Sequence, residues 1–246
     1  MANTQRQQEV MTPAEVAEYL QLAERTVLRM AQRGEIPATK VASQWRFLRP
    51  AVREWLESRM QTMPRSELQR VAESTRPALR LVEVIRPELT RPDISPGPKE
   101  DVLSRLVEPL RTTGFARDPQ RLLDALLQRE EMMTTAVGHG VALPHPRRVL
   151  TDMFAEPAVA MGICPAGTDF DAVDAEPVHL LFLICATCER EHLQLMAKVS
   201  WLTRREDIRR QLRDASSQQD AQDVIARATE EIEPADANHS DREEPQ

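Results

Sequence analysis

Apolar positions along residues 10–60 recur at helical spacing in short blocks. Val16, Ala17 and Leu20 share one face of a helix in which Thr12 is the N-cap, Pro13 the first position and Glu15 the third, the arrangement of a capping box. Gln21 and Leu22 leave almost no connection before a second helix, about residues 23–33, stopped by Gly34. The segment "IPATKVASQWRFL" then reads as two short strands turning at Ala42, Ser43 and Gln44. Pro50 opens a third helix that buries Val52, Trp55 and Leu56. Two short helices joined by a tight turn predict a helix-turn-helix unit.

The pattern changes after residue 60. Residues 61–78 mix proline, serine and charge with few apolar positions, so they predict a linker, stiffened in part by a helical turn or two in "SELQRVAE". "LRLVEVIRPELT" starts a new packed unit. It is followed by two amphipathic helices, "KEDVLSRLVEPLRTTG", stopped by Gly114, and "PQRLLDALLQREEM", stopped by a polar turn around Arg129. Strand-like runs follow at "GVALPH", "AVAMGIC" and "VHLLFLIC", then an apolar helix at "HLQLMAKVSWLTR" and a last helix near "DAQDVIARATE". Interleaved helices and strands predict an α/β unit over residues 79–228. The unbroken apolar run "VHLLFLIC" fits a central strand covered on both faces.

Charge sharpens this division. The net charge of −7 over 246 residues argues against a nucleic-acid partner only if it is evenly spread. Residues 229–246 hold seven carboxylates against Arg242 and almost no apolar side chains, so they predict a disordered acidic tail, as residues 1–9 predict a flexible N-terminus. Residues 20–60 hold eight cations against four carboxylates. No apolar run approaches the roughly 20 residues needed to span a bilayer, no cleavage signal follows an apolar N-terminus, and three cysteines make no disulfide framework. A cytoplasmic protein without membrane insertion is expected.

In the first unit, Glu24, Arg25 and Arg29 fall on the exposed face near the start of the second helix. The hairpin carries Lys40 and Arg46. This suits one element reading base edges while the other grips phosphates, and it also suits a small helical pair whose exposed arginines touch no DNA. The opening TxxEVAxYL, the centre RTVLRMxxRGEIPA and the close WRFxxxxVxEWL resemble the excisionase and MerR-like winged helix-turn-helix family. That resemblance implies base contacts from Glu24, Arg25, Thr26 and Arg29, and backbone contacts from Lys40 and Arg46 in the wing. The family's wing turn usually contains glycine, which this chain lacks. A single module of this size makes a small interface, so a homodimer or adjacent DNA sites are expected.

In the second unit, "VGHGVALPHPRR" spends two of five histidines. Neutral imidazole is nucleophilic near neutral pH. Gly138 and Gly140 permit the close backbone approach that phosphate sites require, and Pro144 and Pro146 restrict the chain on both sides of His145. These residues suit a phosphoryl acceptor, and equally a buried histidine at a strand end. Residues 128–147, "QREEMMTTAVGHGVALPHPR", resemble the active-site segment of the phosphotransferase-system enzyme IIA domains of the fructose, mannitol and nitrogen-regulatory type, and the similarity runs over nearly all of 79–228. The resemblance implies a mixed β-sheet flanked by helices. It implies that His145 takes a phosphoryl group from a phosphocarrier protein and passes it on, that Arg129 of the RE pair contributes to the phosphate site, and that His192 is the second histidine. His192 is expected to open a helix, where the dipole disfavours its imidazolium form.

His139 is expected to face solvent and His179 to be a satisfied buried histidine. Cys185, Cys188 and His192 form C-x2-C-x3-H, a weak zinc or redox signal without a fourth ligand, so no metal and no cofactor are expected. Together the two resemblances imply a DNA-binding regulator controlled by reversible phosphorylation of His145. The second reading is a phosphoryl relay to a sugar transporter, through an enzyme IIB-type acceptor or a regulatory protein, with the first unit binding a protein partner. A third keeps the fold without the chemistry; Arg129, His145 and His192 together argue against it.

Overall fold

The computed structural model describes residues 9–20, 22–60, 63–64 and 79–230. The expected flexible N-terminus, most of the expected linker and nearly all of the expected acidic tail lie outside the described residues. The chain divides into two compact units, Met1–Pro64 and Arg65–Gln246.

The first unit runs β1 (Val10–Met11), α1 (Pro13–Leu20), α2 (Glu24–Arg33), β2 (Thr39–Val41), β3 (Gln44–Leu48) and α3 (Arg49–Met60), with its strands in the order β1-β3-β2. The capping box forms as the residue types require. The backbone N–H of Thr12 donates to Glu15 Oε2 at 2.7 Å, and the backbone N–H of Glu15 donates to Thr12 Oγ1 at 3.3 Å. The Thr12 backbone N–H, and then its hydroxyl, hold the Glu15 carboxyl below its ordinary value. This contribution is therefore in place above the usual carboxylate pKa and is lost as pH falls through the lowered folded-state value. Gly34 ends α2 in the left-handed region at φ 68°, its N–H donating to the carbonyls of Ala31 and Met30. Met11, Val16, Val27, Ala31, Ile36, Phe47 and Val52 close one core, with Trp45 and Trp55 against it. In the β2–β3 turn, Ala42 and Ser43 adopt φ 47° and 66°, so two non-glycine residues supply the left-handed pair that a tight hairpin demands.

The second unit contains α4 (Leu81–Val84), β4 (Ile85–Arg91), α5 (Lys99–Thr112), α6 (Pro119–Met132), β5 (Ala136–Gly138), β6 (Val141–Ala142), β7 (Ala158–Thr168), β8 (Val178–Cys185), α7 (Glu189–Thr203), α8 (Glu206–Arg213) and α9 (Gln218–Glu230). Its five strands lie in the order β4-β7-β8-β6-β5. The β4–β7 and β6–β8 pairs are parallel and the other two antiparallel, which makes the sheet mixed. On β7 and β8, Ala158, Ala160, Leu181, Leu183 and Cys185 join the core formed with α5 and α6. The alternate residues Val159, Met161, Phe182 and Ile184 are buried on the other face, while α7 and α8 pack on β8. Both faces are thus covered, as the apolar run of β8 requires.

One local expectation is corrected, and two elements are added to those expected. The second amphipathic helix does not stop at Arg129; it continues to Met132, placing Arg129 in its last turn. "IRPELTR" is the edge strand β4, and "EDIRRQLR" is the additional helix α8.

Thr12→Ala, which removes the cap of α1, is expected to cost about 1 kcal/mol, read as a lower urea midpoint of the first unit's transition. Ala42→Asn combined with Ser43→Gly is expected to raise that midpoint by about 0.5–1 kcal/mol, because both residues accept the left-handed turn at lower cost.

Candidate phosphoryl-transfer site

The parallel pairing of β6 and β8 is what creates the site. Two parallel neighbours end at the same edge of the sheet, so the chain leaving β6 and the chain leaving β8 emerge side by side. The N–H of Ile184 donates to the carbonyl of Pro144 at 3.0 Å, carrying the pairing one step past β6. His145 follows directly. β8 leads through Cys188 into α7, which carries His192, and the two imidazole centroids lie 5.2 Å apart with the rings inclined at 58°. Both histidines are buried. Such strand ends are where open α/β sheets assemble sites.

The two rings differ in how they are held. Nδ1 of His145 lies 2.7 Å from the carbonyl oxygen of Leu143. A carbonyl only accepts, so in the neutral ring Nδ1 carries the proton and Nε2 carries the lone pair. His192 is not at the cap of its helix: Cys188 is, and the His192 N–H already donates to the Cys188 carbonyl at 3.1 Å. The expectation that it opens the helix is therefore corrected by one turn. The dipole effect, which falls off within the first turn, acts on it less than expected.

Main-chain hydrogen bonds join the segment after Arg129 to the one that leads into His145. Arg129 Nη1 donates to the carbonyl of Met133 at 2.7 Å, the N–H of Leu143 donates to the carbonyl of Thr135 at 3.0 Å, and Leu143 in turn receives His145 Nδ1. Glu130 braces this segment. Its carboxylate accepts from the backbone N–H of Thr135 at 3.0 Å and from the Thr135 hydroxyl, and Lys99 Nζ lies 3.3 Å away. Lys99 also pairs with Asp171 at 2.9 Å; partial burial works against its charge, but these two carboxylates prevail and raise its pKa. The bracing residues Lys99, Glu130 and Thr135, and the carbonyls of Met133 and Leu143, are absent from the sequence expectations. Main-chain acceptors leave no residue-type signal.

Gly138 and Gly140 sit on either side of His139 in the β5–β6 turn at φ 86° and 73°, with His139 itself at 55°. A Cβ on Gly138 would lie 2.9 Å from Asp174 Oδ2, and one on Gly140 would lie 3.3 Å from the carbonyl of Pro177. Turn geometry and close packing thus account for both glycines. His139 is exposed; His179 is half-buried, its Nδ1 lying 3.0 Å from the carbonyl of Cys164. Burial pushes the Cys185 thiol far above its ordinary value, the opposite of what a zinc thiolate needs.

In the first unit the structure places Glu24, Arg25 and Arg29 on the exposed side of α2, with Thr26 half-buried. On the hairpin, Lys40 and Trp45 are cross-strand partners, with Nζ 5.1 Å from the ring centroid. Arg46 belongs to the neighbouring pair and donates to the carbonyl of Trp45 at 2.9 Å. Successive pairs alternate faces, so Lys40 and Arg46 occupy opposite sides of the ribbon.

The second unit is thus a mixed sheet flanked by helices, in which His145, just past β6, faces His192 on α7. Residues 83–228, more than half of the chain, match the family model described as "Phosphoenolpyruvate-dependent sugar phosphotransferase system, EIIA 2", and the chain belongs to that family. Residues 10–60 match a model described as a helix-turn-helix domain. The chain is 38% identical over 145 residues to the "PTS system fructose-specific EIIA component" of Haloferax volcanii, covering 58% of this chain and 92% of that protein. It is 33% identical over 149 residues to the "PTS system fructose-specific EIIABC component" of Bacillus subtilis, covering 60% of this chain but only 23% of that protein's length. It is 30% identical over 153 residues to the "Nitrogen regulatory protein" of Bradyrhizobium diazoefficiens, covering 59% and 94%. The solved "Nitrogen Regulatory Protein IIA-Ntr" of Neisseria meningitidis shares the fold, with a TM-score of 0.51 and 24% identity over 58% of this chain and 97% of that one. Among the described residues no helix is long and apolar enough to cross a membrane.

Glu130→Ala leaves the Thr135 N–H and hydroxyl without their buried acceptor, and is expected to destabilise the second unit by about 2–4 kcal/mol. Urea unfolding measures it; a loss below about 0.5 kcal/mol would show that the brace is dispensable.

Proposed function

We propose that the second unit is a phosphoryl relay: Nε2 of His145 accepts a phosphoryl group from a phosphocarrier protein and delivers it to an acceptor such as an enzyme IIB-type component of a sugar transporter. The observation that carries this reading is the hydrogen bond from His145 Nδ1 to the Leu143 carbonyl, within a chain of the EIIA 2 family. In the transfer, the Nε2 lone pair forms a new N–P bond while the carrier's N–P bond breaks and its electron pair returns to the carrier. The proton stays on Nδ1, where the Leu143 carbonyl stabilises the charge the ring acquires. His192 donates to the phosphoryl oxygens and Arg129 supplies a permanent cation matched to them. Because His145 is only 3% exposed, its ring edge has to be uncovered as the carrier docks. The fructose-specific names of two relatives support a sugar-transport relay.

A second reading, DNA binding controlled by this phosphorylation, is favoured by the exposed Glu24, Arg25 and Arg29 on α2 and the cations of the hairpin. The excisionase and MerR-like character of that unit, with α2 in a major groove and Lys40 and Arg46 on phosphates, belongs to this reading. A phosphoryl group adds nearly two negative charges, enough to repel DNA or alter a protein contact.

Incubation with a phosphorylated phosphocarrier protein, followed by intact mass under alkaline conditions, is expected to add one phosphoryl group to the wild type and none to His145→Ala. No transfer to the wild type from a competent donor overturns the relay. Gel retardation separates the second reading. Arg25→Ala and Arg29→Ala are each expected to weaken DNA binding several-fold; unchanged retardation in both, or none by the wild type, overturns DNA binding.

A further inference from the structure

The β5–β6 turn and the loop entering β8 bring together three metal-binding side chains that phosphoryl transfer does not use. An imidazole nitrogen of His139 and carboxylate oxygens of Asp174 and Glu176 all lie within 4.8 Å of one another, on exposed residues. We propose that His139, Asp174 and Glu176 form a binding site for a divalent transition-metal ion of the zinc class.

The donor set chooses the ion. One imidazole and two carboxylates suit a tetrahedral centre with a water in the fourth position, whereas calcium and magnesium take oxygen ligands and gain little from imidazole. Metal–ligand distances of about 2.0–2.2 Å require donors roughly 3–4 Å apart. Small rotations of the exposed His139 and Glu176 side chains toward the fixed Asp174 carboxylate close the separation to that.

The convergence is built into the backbone rather than left to long surface chains. Asp174 Oδ2 accepts from the His139 N–H at 2.7 Å and Oδ1 from the Glu176 N–H at 3.2 Å, so the carboxylate is oriented by the two residues that flank it in the cluster. Gly138 leaves the space: any Cβ there would crowd Asp174 Oδ2 at 2.9 Å. His139 is held in the left-handed region at φ 55°, a conformation in which its side chain stands at the tip of the turn beside that carboxylate. A bound ion ties this turn to the loop before β8, and β6 runs directly from the turn into the His145 segment.

The test is zinc binding to the untagged full chain after chelator treatment, followed by calorimetry, with three variants beside the wild type. His139→Asn removes the imidazole but tolerates the left-handed backbone; Glu176→Gln removes a charge; His145→Gln combined with His192→Gln removes the other facing imidazoles. The proposal expects saturable binding whose Kd rises at least about tenfold in His139→Asn and in Glu176→Gln and is unchanged in the His145→Gln, His192→Gln protein. Binding unaffected by His139→Asn, binding lost with the His145–His192 pair, or no saturation of the wild type below about 1 mM zinc would each overturn it.

Discussion

The proposed relay depends on one hydrogen bond, from Nδ1 of His145 to the carbonyl oxygen of Leu143, two residues earlier. The bond assigns the proton of the neutral ring to Nδ1 and the lone pair to Nε2, which is buried in this structure. That assignment relies on the shape of the chain between Leu143 and His145, which Pro144 and the onward pairing with Ile184 secure.

The sheet supplies the rest by topology. Because β6 and β8 are parallel, His145 and the helix bearing His192 meet at one edge without either being steered by a long loop. Arg129 is tied through Met133 to the segment that pairs with Leu143, with Glu130 and Lys99 bracing the turn. A guanidinium, two imidazoles and a braced main chain suit a dianion better than they suit an apolar ligand.

How much of this could be read from the sequence follows from which interactions have a residue-type signature. Thr12, Pro13, Glu15 and Gly34 mark helix ends because capping uses particular side chains, and those elements appear where the pattern puts them. "VHLLFLIC" matches β8 to the residue because a doubly covered strand is continuously apolar. β4 is missed because "IRPELTR" holds a proline and exposes Glu88, as edge strands do. α8 is missed because Ile208 and Leu212 alone face inward. Within the site, His145 and His192 are legible by resemblance, whereas the Leu143 and Met133 carbonyls that orient His145 and Arg129 are not. Any residue presents a carbonyl, so only the fold shows which one is used. Gly138 and Gly140 are legible as a backbone need, and their left-handed φ values in the β5–β6 turn show one source of it.

The proposed relay turns most directly on which ring nitrogen of His145 carries the phosphoryl group. The measurement is phosphorus–nitrogen coupling in the phosphorylated, 15N-labelled full chain at alkaline pH, assigned to His145. The geometry predicts a bond to Nε2 with the proton retained on Nδ1; a phosphoryl group on Nδ1, which would break the bond to Leu143, would contradict it.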